Sequence, residues 1–141
     1  MDKSVESEAP QRGVFLTVMA VLFVILAISD FTKALQFAND PSGGLVVLGH
    51  KFQGVKKNLV LGPIDGIFWL TYAYGIWKMR RWVLPISIFF AFYVPANMVL
   101  FWSLHQLPPA TVRFMVMYLF FSLTGSVGTA LYLAYHRERL R

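Results

Sequence analysis

Residues 59–82 read LVLGPIDGIFWLTYAYGIWKMRRW and hold one carboxylate, Asp65, inside a run otherwise suited to lipid. A carboxylate in such a run can exchange a proton, hold a cation or pair with a lysine. Leaving it unpaired in hydrocarbon costs at least roughly 2.5–3.5 kcal/mol. Two readings of Asp65 follow. In the first, Gly62-Pro63 interrupts a helix and Asp65 caps the amides freed by the break. In the second, Asp65 is a functional carboxylate with Asn97, Ser122 or Tyr72 as partners and Lys33 as the nearest counter-ion. Asp30 stands three residues before Lys33, the spacing of a local helical salt bridge.

These polar residues recur at similar depth. Counting from the cation at each span's cytoplasmic end, Lys78 for this one, at 1.5 Å per residue puts Asp65 about 20 Å from the inner boundary. The same count gives about 24 Å for Asn97, about 27 Å for Asp30 and about 22 Å for Ser122. Polar groups from four segments are therefore expected in one slab. In the last segment Tyr118, Ser122, Gly125, Thr129 and Tyr132 fall on a single helical stripe, a face of small and hydroxyl residues suited to close helix packing. Asp65, Trp69 and Tyr72 share a face in the same way, and Pro95 offers a kink beside Asn97.

Positioning those residues requires membrane helices. Of the 141 residues 57% are hydrophobic and 14% charged, against about 45–50% and about 25% in soluble domains. The excess falls in four runs, about 13–37, 58–77, 82–105 and 110–135, each long enough to cross about 30 Å of hydrocarbon. The expected fold is an all-α membrane protein, four transmembrane helices in one up-down bundle, behind a disordered cytoplasmic tail over residues 1–12. "QLPP" closes the third span, and "NDPSGG" ends the first. The section between the first two spans, LVVLGHKFQGVKKN, reads either as a small hairpin or as an interfacial segment.

The net charge of +6 gathers at span ends, which favours anionic headgroups and excludes nucleic acid as a partner. The N-terminal tail, the "KMRR" turn and the C-terminus hold eight Lys/Arg and the opposite side five, so both termini are expected in the cytoplasm of a plasma (inner) membrane. With no cysteine, disulfides and thiolate metal sites are impossible. The three histidines, His50, His105 and His136, are not arranged to share a haem, no metal cluster is legible, and nucleophile elbows, P-loops and dinucleotide fingerprints are absent. No cofactor is expected, and no catalysis.

Residues 58–102 carry an "LGP" opening the second span, a "YAYGIWKMRRW" turn and a "YV…N" segment in the third. In this they resemble a group of small bacterial four-helix inner-membrane proteins of unknown function. The resemblance implies inner-membrane residence and assigns no site. Two functions are expected from the whole: first, a non-catalytic accessory or assembly subunit, packing on another membrane protein or on itself; second, a small transporter or a lipid-, quinone- or ion-binding protein using the polar slab around Asp65.

Overall fold

The computed structural model describes residues 13–38, 44–105 and 109–141. Among these the chain is mostly helical: α1 (Gly13–Phe31), a single turn α2 (Lys33–Gln36), α3 (Val55–Trp77), α4 (Val83–Leu104), α5 (Pro109–Tyr135) and a closing 3-10 turn, Arg137–Arg139. Four of these helices are long and apolar enough to cross a membrane, with the apolar part of α5 spanning Val116–Tyr135. The tail over residues 1–12 and most of "NDPSGG" lie outside the described residues.

The first span is shorter than its apolar run suggests. It breaks at Thr32, whose hydroxyl hydrogen-bonds the Ser29 carbonyl at 2.9 Å and whose backbone leaves helical values. A threonine that offers its own carbonyl-directed bond competes with the helix ladder. Gln36 then donates to the Thr32 hydroxyl at 2.7 Å and to the Ser29 carbonyl at 3.1 Å, fixing the turn that follows.

The section between the first two spans is an antiparallel hairpin, β1 (Gly44–Val47) on β2 (His50–Gln53), with Leu45 opposite Phe52 and Val47 opposite His50. Its two-residue turn, Leu48-Gly49, has φ of 50° and 75°, the left-handed pair that matches strand twist in tight hairpins.

α1 packs chiefly on α3 and α4 chiefly on α5. The fully buried core lies at the end carrying the α3–α4 turn, where Leu16, Ala20, Tyr72, Ile76, Met79, Val83, Leu133 and Leu140 meet. There the C-terminal residues add a short backbone ladder: the Arg141 amide donates to the Met79 carbonyl at 2.8 Å, and the Arg81 amide to the Arg141 carbonyl at 2.9 Å. Many large apolar side chains elsewhere on the helices face outward.

Candidate functional site

The site begins with two glycines. Gly62 and Gly66, one helical turn apart on α3, are both buried where α1 crosses. A Cβ at Gly62 would collide with the backbone carbonyl oxygen of Asp30. One at Gly66 would stand 2.9 Å from the Phe31 ring and 3.1 Å from the Ala27 carbonyl. Lipid supplies no hydrophobic force between helices, so close backbone approach is what holds such a pair, and only glycine permits it here. The crossing buries Asp30 against α3, leaving it 2% exposed.

Lys33 stands just beyond the Thr32 break, with its Nζ 3.6 Å from Asp30 Oδ1 and 5.6 Å from the centre of the Phe37 ring. Asp65 lies one turn after Gly62 and is half-buried. Its electrostatic neighbours are Lys33 and Asp30. Two carboxylates therefore lie in the field of one ammonium, and only Asp30 is within ion-pair distance of it.

α3 runs unbroken through Gly62-Pro63, so no break exposes a set of amides for Asp65 to cap. Proline removes one helical hydrogen bond, leaving the Leu59 carbonyl without its usual donor, but that is an acceptor and gives a carboxylate nothing to bind. Among the described residues Asp65 accepts no hydrogen bond. The capping reading of Asp65 fails on this geometry.

Below Asp65 the space between the helices is filled by aromatic rings. Trp69 lies parallel to Phe23 of α1 at 5.2 Å and tilted to Phe90 of α4 at 5.2 Å, while Phe68 meets Phe90 at 5.4 Å. Tyr72 closes the layer. Its hydroxyl is 2.6 Å from Ser87 Oγ, and Ser87 in turn donates to the Val83 carbonyl at 2.9 Å. Ser87 has only one hydrogen to give, so Tyr72 is the donor in their bond. Tyr72 thus ties α3 to α4 and is not a ligand of Asp65.

The other members of the expected slab are engaged elsewhere. Asn97 accepts the Gly49 amide at 2.8 Å and donates to the Val46 carbonyl at 3.1 Å, clamping the hairpin to α4. Asn58 does the same from α3: fully buried, it donates to the carbonyls of Gly54 (2.9 Å) and Phe52 (3.1 Å) and accepts from the Leu45 amide at 3.4 Å. Ser122 is half-buried on α5, where its carbonyl accepts the Ser126 hydroxyl. Of the six polar candidates the structure brings together Asp30, Lys33 and Asp65.

The stripe on α5 is used only in part. Tyr118 is half exposed, and open space surrounds Gly125. Tyr132 stacks on Phe15 of α1 at 5.5 Å, and Thr129 is fully buried with an unpartnered hydroxyl. The glycine that meets α1 is Gly128, where an added Cβ would stand 3.1 Å from the Phe15 ring. His105 and His136 each hydrogen-bond the carbonyl four residues back, and no cluster of three His, Asp or Glu occurs among the described residues.

Two features were missed by sequence reasoning. The Gly62–Gly66 spacing is a small-residue pair one turn apart and was visible in "GPIDG". Asn58 had no signal beyond being a polar residue at a span start. No family model matches this chain, and neither a curated protein nor a solved structure resembles it significantly.

Proposed function

We propose that this is an integral membrane protein that binds one monovalent cation, a proton included, at Asp30, Lys33 and Asp65, in the manner of a small ion-coupled transporter. The observation that carries the reading is Asp65 itself, a half-buried carboxylate with no hydrogen bond among the described residues, in the field of the Asp30–Lys33 pair. With both carboxylates ionised, the two of them and one ammonium carry a net charge of −1. One monovalent cation neutralises the group, and neutrality is what a low-dielectric site favours. A divalent ion would overshoot to +1. Asp30 holds Lys33 in place, and Asp65 is the ligand left for the ion.

The accompanying topology is an up-down arrangement of four spans with both termini in the cytoplasm of a bacterial inner membrane. It is supported by the cation asymmetry, by the sequence resemblance of residues 58–102, and by the C-terminal residues pairing with the α3–α4 turn. The chemistry is binding, not catalysis.

The test is thermal unfolding of the purified protein across a sodium series and a pH series, with Asp65→Asn alongside. Wild type should respond to at least one series, and Asp65→Asn should fold yet respond to neither. A flat wild type, or a variant that keeps the response, would overturn the reading.

One observation favours the accessory reading as well. Only 17% of α4's apolar window is buried within the chain, the least of the four spans, which leaves a broad face for a membrane-protein partner or a second copy. That reading requires a stoichiometric partner or oligomer surviving size exclusion in mild detergent. A monodisperse single chain would remove it.

A further inference from the structure

We propose that the β1–β2 hairpin, with the first turn of α3, is a docking surface for anionic phospholipid headgroups in the leaflet on its own side of the membrane. The proposal is independent of the cation site.

The hairpin's level is fixed. Asn58 grips it from the start of α3 and Asn97 from α4, both apolar spans, so the strands are held against the helix ends. Its tip continues the lipid-facing surface of α4: Gly49 abuts Leu100 and Leu104, which are themselves exposed, and Leu48 beside it is 59% exposed. Leu48 also occupies a left-handed backbone position, φ 50°, where asparagine or glycine would sit with less strain. An exposed leucine in a strained turn, level with exposed leucines of a span, places the tip at the acyl-chain boundary.

Lys51 on β2, with Lys56 and Lys57 at the start of α3 by the hairpin's base, make this surface positive. His50, Lys51, Lys56 and Lys57 form no salt bridge among the described residues. Lys56 and Lys57 are exposed in the first turn of α3, which contains no acidic residue. Cations at a helix N-terminus oppose the helix dipole, so this turn is electrostatically unfavourable until an anion arrives. Lysines along a hairpin whose apolar tip reaches the membrane boundary match a lipid phosphate attached to acyl chains. A soluble anion would leave the leucines unused.

The test is native mass spectrometry of the detergent-purified full chain titrated with phosphatidylglycerol and with phosphatidylcholine. Wild type should retain phosphatidylglycerol preferentially. The combined variant Lys51→Gln, Lys56→Gln, Lys57→Gln should weaken that retention by about fivefold per lysine, while the corresponding triple arginine variant keeps it. Leu48→Asn should weaken retention without loss of helix content. Absence of a wild-type preference, retention by the glutamine variant, or equal competition by inorganic phosphate would each overturn the proposal.

Discussion

Replacing Gly62 with alanine tests whether the α1–α3 crossing organises the site. The added methyl group would collide with the Asp30 carbonyl oxygen, a backbone atom that cannot rotate away, and would also crowd Lys33 Cβ at 3.3 Å. α1 must therefore retreat. Retreat lifts Phe31 from Gly66 and Phe23 from its parallel stack on Trp69. Overpacking of this kind costs about 1–3 kcal/mol. Alanine's better helix propensity returns about 1 kcal/mol, leaving a net loss of about 0–2 kcal/mol against wild type and about 1–3 kcal/mol against a variant that keeps only the propensity gain. Gly125→Ala is the matched control, because nothing lies within 4 Å of that position and only the propensity gain applies. The assay is unfolding in mixed dodecyl maltoside and SDS micelles followed by far-UV circular dichroism. Equal stability of the two variants would refute close backbone contact as the basis of the site.

Other substitutions probe the remaining contacts. Asn97→Leu strands the Gly49 amide and the Val46 carbonyl, so it should destabilise the chain by about 1–3 kcal/mol and speed hydrogen exchange at Gly49; unchanged exchange would contradict the clamp. Thr129→Val replaces a fully buried, unpartnered hydroxyl by a methyl of similar shape and should stabilise by about 1 kcal/mol in the same unfolding assay. Tyr72→Phe removes one bond while Ser87 keeps its bond to Val83, so a loss of only about 0.5–1.5 kcal/mol is expected, with the cation response intact.

The four long apolar helices were legible because apolar runs of about 20 residues have few other uses. Their ends were less so. Thr32 ends α1 through a hydroxyl bond that periodicity does not report, and α3 begins at Val55, ahead of the apolar run, because Asn58 anchors the hairpin beside it. The hairpin was one of two open readings, since its turn lacks the Asn-Gly or Asp-Gly pair that marks such turns and uses Leu48-Gly49 instead. Depth counting put Asp65, Asn97 and Asp30 in one slab but carries no azimuth, and azimuth is what sends Asn97 to the hairpin and Asp30 to α3. The Asp30–Lys33 pair was readable because i, i+3 spacing fixes depth and direction together.

The most direct test of the Asp30, Lys33 and Asp65 site is its cation stoichiometry. Sodium uptake by equilibrium dialysis, paired with pH-stat titration, should give one monovalent cation equivalent per chain for wild type and none for Asp65→Asn. No uptake by wild type, or the same uptake by both proteins, would contradict it.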